Sequence, residues 1–399
     1  MSKPIEIKIF NPLFHRVLNL PYMTYRNHDK LLSVDGSTKN PMAILGGRNA
    51  AEAYFGRSDK FNFLDADALV LGNAASAAHE YFSKLWSTNP DVADLELWDY
   101  DHGRLNGLRC KKEYHECMRE NNLIAAEIDE ADQQIVDLVR QFKKGEYETK
   151  VQPISKMLAD LEDLKVTSPE DKDSDMSQVF FAFNDPTVRM KDVENKLGAQ
   201  IMEQFADERT KKILISTPYL LPTDEELSTL EKIIRERNVD VTIVTNSLAS
   251  SDMTLAHAGF LTIKERLVKM GVKLYLFKPY DDNINSNHSG APEVLHCKGA
   301  IINDKISLIG SFNFDQRSAK INREIGLQIG SQANSNVPRF TVEFSTYIQK
   351  RILARSVMIS KDGILDVDAE RSVEALASEK KIEELSRQLG LVPLIKRHL

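Results

Sequence analysis

Leu295-His296-Cys297-Lys298-Gly299-Ala300-Ile301-Ile302-Asn303, followed shortly by Ser307-Leu308-Ile309-Gly310-Ser311-Phe312-Asn313, is the stretch around which the rest of the chain organises. On an extended strand, residues two apart face the same way, so His296 and Lys298 project together while Ile301 faces a core. An imidazole and an ammonium then converge on one spot. Gly310, Ser311 and Asn313 close the next apolar run, where a small residue lets backbone approach a ligand and the hydroxyl and amide suit a phosphoryl oxygen. A single His-x-Lys triplet is ordinarily just a surface-strand histidine, but here the pattern recurs. Asn27-His28-Asp29-Lys30-Leu31-Leu32-Ser33-Val34-Asp35 and then Ile44-Leu45-Gly46-Gly47-Arg48-Asn49 repeat the order His, Lys, acid or amide, Gly, small residue, Asn. Two copies this far apart imply a duplicated unit whose halves meet, bringing two histidines and two lysines to one cleft.

The rest of the sequence sets bounds on that reading. A chain of 399 residues exceeds what one core usually serves, so two domains are the natural expectation. Composition is globular, with 42% hydrophobic and 28% charged residues, and no apolar run reaches the roughly 18 residues of a membrane span. No export signal is visible in Met1-Ser2-Lys3-Pro4 and the strand-like Ile5 to Phe10. A net charge of -7 argues against a broadly basic nucleic-acid binder and requires any phosphate site to be local. Three cysteines, Cys110, Cys117 and Cys297, make a disulfide framework unexpected, and Cys110, His115 and Cys117 lack the fourth ligand of a closed zinc site. No metal and no cofactor are expected.

Periodicity divides the chain into four parts. Residues 1–109 alternate short apolar runs with turns before a helix-like Ala74 to Trp86; 110–175 are charged, nearly glycine-free and helical in spacing. From 176 to 345 strand-like runs (Lys212–Ser216, Val241–Val244, Val272–Leu276, Ala300–Ile302) alternate with helix-like ones (Glu225–Arg237, Thr254–Met270), which predicts a mixed or parallel α/β sheet covered by helices. Residues 346–399 read as a helical tail.

The doubled H-x-K-x4-D pattern, each copy followed by G-[SG]-x-N, resembles the phospholipase D superfamily. Further stretches are similar to its cardiolipin synthase branch, C-type members in particular: Tyr54-Phe55-Gly56, Phe63-Leu64-Asp65-Ala66-Asp67, Thr245-Asn246-Ser247-Leu248-Ala249, His257-Ala258-Gly259 and Phe314-Asp315-Gln316-Arg317-Ser318. The likeness runs from about Ile5 to Ile329. It implies a duplicated phospholipase-D-type sandwich: two pseudo-symmetric halves of mixed sheets flanked by helices, 1–109 carrying motif 1 and 176–345 motif 2, joined by 110–175. The family carries further strands, helices and often a membrane anchor ahead of this chain's first strand, so the first half is expected to be incomplete. Two local departures are Asn303, where the family has Asp, and a longer loop from Ser37 to Pro41.

The resemblance also implies a chemistry. The expected catalytic set is His28, Lys30, Asp35, His296, Lys298 and Asn303, with Gly47, Asn49, Ser311 and Asn313 around the phosphate, and Asp65 and Glu324 orienting the imidazoles. His28 is expected to attack phosphorus and His296 to serve as acid and base, giving a phosphohistidine and then transfer. The substrate would be a phospholipid such as phosphatidylglycerol, met at the bacterial cytoplasmic membrane by a peripheral protein, with no nucleic acid involved and oligomeric state open. Water in place of the acceptor alcohol would make the protein a hydrolase, and Asn303 with a shortened first half would suit an inactive lipid-binding remnant. His257 is read either as lining the substrate pocket or as a core histidine.

Overall fold

The computed structural model describes residues 8–10, 25–37, 41–94, 104–105, 108–109, 179–193, 196–279, 291–333 and 336–359. From the N-terminus come β1 (Lys8–Phe10), β2 (Leu31–Val34), β3 (Met42–Gly46), β4 (Asn62–Leu64), β5 (Asp67–Leu71), helix α1 (Asn73–Thr88), β6 (Val92–Asp94), β7 (Arg104–Leu105) and β8 (Leu108–Arg109). Next are β9 (Val179–Phe183), α2 (Leu197–Ala206), β10 (Lys212–Ser216), β11 (Leu220–Leu221), α3 (Asp224–Arg237), β12 (Asp240–Asn246), α4 (Thr254–Lys269) and β13 (Lys273–Phe277). Then follow β14 (Glu293–Leu295), β15 (Gly299–Ile302), β16 (Ile306–Gly310), β17 (Phe314–Asp315), α5 (Gln316–Lys320), β18 (Ile325–Ile329), α6 (Arg339–Tyr347) and β19 (Ser356–Met358). The fold is mixed α/β, as the alternation of patterns implies.

Contacts group the chain into two compact units, Met1–Met23 with Pro90–Ser168, and Thr24–Asn89 with Pro169–Leu399. Within the first, β1 pairs antiparallel with β6, and β7 with β8. Every candidate site residue belongs to the second. The helical segment expected at 110–175 lies outside the described residues, as does the tail beyond Ile359. The boundary drawn at 346 falls inside α6, and β19 beyond it is an edge strand of the main sheet, so this stretch belongs to the core rather than to a helical tail.

That sheet has eight strands in the order β19-β13-β12-β10-β15-β16-β18-β9. β10, β12 and β13 run parallel, connected by α3 and α4, while the remaining neighbours are antiparallel. One face buries Ile213, Ile215, Val241, Ile243, Leu274, Ala300 and Ile302 against α2, α3 and α4. Local signals agree with this placement. Thr223 caps α3 by accepting from the Glu226 backbone while the Glu226 side chain returns to the Thr223 N–H, and acids in the first turn with Arg235 and Arg237 in the last complement the helix dipole.

A smaller sheet, β2-β3-β5, carries the first motif. Its hairpin and third strand repeat the order β15-β16-β18 around the second motif, and β3 and β5 pack against β16. Two further pairings stitch these regions together crosswise. β4, just before Asp65, runs parallel to β14, just before His296; Asn27, just before His28, forms a parallel bridge with Arg323, just before Glu324.

Candidate active site

The crosswise pairing decides which residues meet. Because His28 N–H donates to the Arg323 carbonyl at 3.0 Å, the His28 ring is carried to Glu324; because His296 N–H donates to the Leu64 carbonyl at 2.9 Å, the His296 ring is carried to Asp65. Nδ1 of His28 lies 3.0 Å from each Glu324 carboxylate oxygen. Nδ1 of His296 lies 2.6 Å from Asp65 Oδ2. Each motif histidine is therefore oriented by the carboxylate of the other motif's region, and a carboxylate on Nδ1 leaves Nε2 as the reacting nitrogen.

The lysines are placed alike. Nζ of Lys30 donates to the carbonyl of His28 at 2.7 Å, and Nζ of Lys298 to that of His296 at 2.8 Å. Each triplet lies just before a strand, β2 or β15, and each ammonium curls back beside its own histidine. Lys298 also lies 2.8 and 3.1 Å from the two ring nitrogens of His296. Burial, and then the charge of Lys298, depress Lys30 to about 8. Lys298 is itself held below the ordinary lysine range, by burial first, with Asp65 opposing. Two ammonium groups that feel one another's charge, one of them fully buried, call for an anion beside them.

The two sides are not equivalent. Burial tends to raise Glu324, yet the charge of His28 and hydrogen bonds from His28, Ser311 and Ser318 outweigh it, holding the carboxyl below its usual range. Ser311 donates to Glu324 at 2.5 Å. At the matching position Gly47 has no side chain, and an added Cβ would sit 2.4 Å from Asp65 Oδ1. With no hydroxyl to support it, Asp65 is raised by burial to about 6, opposed chiefly by Lys298 and Arg48. His296 is pushed well below the ordinary imidazole range by burial, then by Lys298, Lys30, His28 and Arg48. Its side chain is 5% exposed, against 24% for His28.

Of the residues singled out from sequence, His28, Lys30, Asp65, His296, Lys298 and Glu324 converge. Asp35 and Asn303 do not. Both have left-handed backbone, with φ of 51° and 54°, at hairpin turns that follow β2 and β15. The strand ends at Ile302, so the position five residues beyond the lysine is carried into the turn. The Asn303 side chain accepts from the Lys211 and Lys212 N–H groups at 2.8 and 3.0 Å and donates to Arg209 O and Gln332 Oε1 at 2.9 Å. It ties the hairpin to β10, a structural task that an αL-tolerant amide performs. The phosphate set is likewise sorted. Ser311 is committed to Glu324, Gly47 makes room for Asp65, Asn49 donates to the Tyr54 hydroxyl at 2.7 Å, and Asn313 keeps a buried Oδ1 with no partner among the described residues.

Several site residues went unassigned in the sequence. The Tyr54 hydroxyl lies 3.3 Å from His296 Nε2, and its ring stacks on Phe63 at 4.2 Å. Asn246 brackets the strand before His296, donating to Leu295 O at 2.8 Å and accepting from Leu295 N at 3.0 Å. Arg323, fully buried, donates to the carbonyls of Asp185 and Val188 and fixes the wall behind His28. Asp29 takes the Tyr81 hydroxyl behind the strand and is raised by burial to about 7. Their local patterns carry no distinguishing signal beyond the family-like stretches in which Tyr54 and Asn246 stand. His257 is a buried residue of α4, with its ring 5.6 Å from that of Phe260.

Among the described residues no cluster of three or more His, Cys, Asp or Glu is arranged to hold a metal ion, and no helix is long and apolar enough to cross a membrane.

Residues 202–350 match the family described as cardiolipin synthase, PLD-like domain. An uncharacterized protein of Helicobacter pylori strain J99 is 30% identical over 339 residues, covering 81% of this chain and 59% of that protein. Cardiolipin synthase C of Escherichia coli K12 is 28% identical over 346 residues, covering 82% of this chain and 65% of the relative. The chain thus spans about three fifths of the length of these relatives. Among solved structures, phosphatidylserine synthase of Haemophilus influenzae Rd KW20 superposes with a TM-score of 0.53 at 15% identity, over 95% of this chain and 72% of that one.

Proposed function

Because the chain carries a phospholipase-D-like domain of the cardiolipin synthase family, we propose that it is a phosphatidyltransferase joining a phosphatidyl group to the hydroxyl of an acceptor such as phosphatidylglycerol. The observation that carries this is the crossed His–carboxylate pairing: two imidazoles, each oriented through Nδ1 by an acid of the other region, with a half-buried and a buried lysine beside them. Such a site needs both regions to be whole, and its positive charge suits a phosphodiester.

In the first step His28 Nε2 attacks phosphorus, forming an N–P bond as the P–O bond to the leaving glycerol breaks; His296 delivers its proton to the departing oxygen. Ionised Glu324 stabilises the positive charge that His28 gains. Lys30 and Lys298 offset the charge that builds on the non-bridging oxygens. Neutral again, His296 takes the proton of the acceptor hydroxyl, whose oxygen attacks phosphorus and breaks the N–P bond. The Asp65–His296 pair suits this exchange: a carboxyl raised to about 6 and a depressed imidazole share one proton across 2.6 Å. Action on a lipid places the reaction at a membrane surface.

The test is incubation with phosphatidylglycerol vesicles and analysis of the lipid products. Cardiolipin with released glycerol is expected. Phosphatidic acid alone would make the protein a hydrolase, and no product together with no phosphohistidine would make it an inactive binder.

A further inference from the structure

A cavity of about 380 Å³ lies between α2 and the eight-stranded sheet, within the roughly 300–1,000 Å³ range of small-molecule sites. Its origin is legible in the register. Gly310 pairs with Gly326, and Gly326 with Ala182, so three adjacent strands present almost no side chain in one row. Gly299 pairs with Ile309, which places Lys298, the residue before it, next to Gly310 at the head of that row. Helix α2 roofs the space: a Cβ on Gly326 would stand 3.6 Å from Leu197, and one on Gly198 3.0 Å from the Phe312 ring. Ile201 adds to the roof, and Phe180, 51% exposed on the edge strand, marks the far end.

The cavity is thus a mainly apolar slot, edged by Gln200, Glu203, Gln204 and Gln328, whose inner end is a lysine of the catalytic centre. Packed interiors leave few spaces of this size beside a sheet, and the apolar part of this one offers surface that an apolar ligand would cover. We propose that this slot binds one hydrocarbon chain of the phospholipid whose phosphate lies between the two lysines. The inference rests on the transfer reading for its phosphate, and it adds a specificity device. Chain length is read beneath α2, and the buried chain fixes the phosphodiester relative to His28. Continuity with Lys298 sets the occupant: a chain entering here is covalently tied to a group that two ammonium ions hold.

Direct binding of hexyl, octyl and decyl phosphate, kept below their micelle concentrations, tests this by calorimetry without turnover. Each added methylene should tighten binding by about fourfold, the equivalent of about 0.8 kcal/mol per buried CH₂, until the slot is full. Ala182→Phe fills the row from the edge strand and Ile201→Trp lowers the roof from the helix. In both variants the ratio of hexyl to decyl phosphate affinities should collapse towards one, with thermal unfolding confirming that each variant is folded. A wild-type ratio near one, or a ratio unmoved by either folded variant, overturns the proposal, including the case in which another segment of the chain fills the slot. The two readings separate cleanly. A chain-length ratio without any phosphohistidine from a nitrophenyl phosphodiester would sink the transfer reading alone; phosphohistidine without the ratio would sink the slot alone.

Discussion

Glu324→Gln isolates the contribution of the crossed pairing. In the wild type, both carboxylate oxygens face His28 Nδ1 at 3.0 Å while Ser311 donates to one of them at 2.5 Å. Glutamine keeps an oxygen for the Nδ1 proton but removes the charge. Attack through Nε2 gives the ring a positive charge that only the carboxylate balances at contact distance. A hydrogen bond to a charged group contributes about 1.5–3 kcal/mol, and a contact ion pair about 4 kcal/mol at an effective dielectric of 20. A loss of about 2–4 kcal/mol slows phosphohistidine formation about 30- to 900-fold.

The assay is the pre-steady-state burst of nitrophenolate from bis(p-nitrophenyl) phosphate, with acid-quenched peptide mapping to locate the adduct. Asp65→Asn is its counterpart. A nitrophenolate leaves without a proton, so that variant should retain a burst within about tenfold of wild type yet lose turnover by about 10²- to 10⁴-fold, because deprotonation of the acceptor needs His296. A Glu324→Gln burst within threefold of wild type would refute the role of the carboxylate. A collapsed burst in Asp65→Asn, with adduct on the peptide containing His296, would reverse the roles of the two histidines.

Four further outcomes follow from the same geometry. The rate of phosphohistidine breakdown should rise through about 6, where Asp65 ionises and can accept from His296 acting as base, and fall through about 8, where Lys30 loses its proton; a profile flat from 5 to 9 contradicts this. Asn303→Asp should leave turnover within about twofold and lower the melting temperature, since the donors to Arg209 and Gln332 are lost, at about 1 kcal/mol each; a tenfold change in turnover would return this residue to the site. Gly47→Ala should cost at least about tenfold in turnover, because its Cβ would displace the Asp65 carboxyl 2.4 Å away and break the 2.6 Å bond to His296; full activity would show that Asp65 has room to shift. Chelators should leave turnover intact, since Lys30 and Lys298 supply the positive charge that a metal would otherwise bring; loss on chelation restored by one metal would overturn the mechanism.

How much of this was visible in the sequence depends on whether an effect is local. The two-residue spacing put His296 beside Lys298 and His28 beside Lys30, although neither triplet lies within a strand, and the helix-like run Glu225–Arg237 announced α3. The family pattern placed Asn303 in the site, but β15 ends at Ile302, so its side chain is carried into the turn. Asp65 and Glu324 were legible only as family-like positions, and their exchange of partners was not. It arises from two strand pairings between segments more than two hundred residues apart. The roles of Tyr54, Asn246 and Arg323 are likewise tertiary.

One residue at matching positions of the two motifs, Ser311 and Gly47, adds to the asymmetry of the site. A duplicated unit would by itself give two equal histidines, and a two-step displacement needs unequal ones. Ser311 and Gly47 occupy matching positions behind Glu324 and Asp65. The charge and hydrogen bond of His28, joined by hydrogen bonds from Ser311 and Ser318, hold Glu324 below its usual range in a buried setting, so in the proposed transfer the carboxylate can stabilise a charged phosphohistidine. The glycine leaves Asp65 without that donor, so burial raises it to about 6 and lets it trade a proton with His296 near neutral pH. Replacing Ser311 by glycine should therefore push Glu324 up and make the first side resemble the second. The burst would slow and become more dependent on pH on the acid side, where a Glu324 that has lost the Ser311 hydrogen bond takes up its proton more readily. A burst that is unchanged in rate and pH dependence in Ser311→Gly would show that the difference between the histidines lies elsewhere, in the exposure of His28 rather than in the acid behind it.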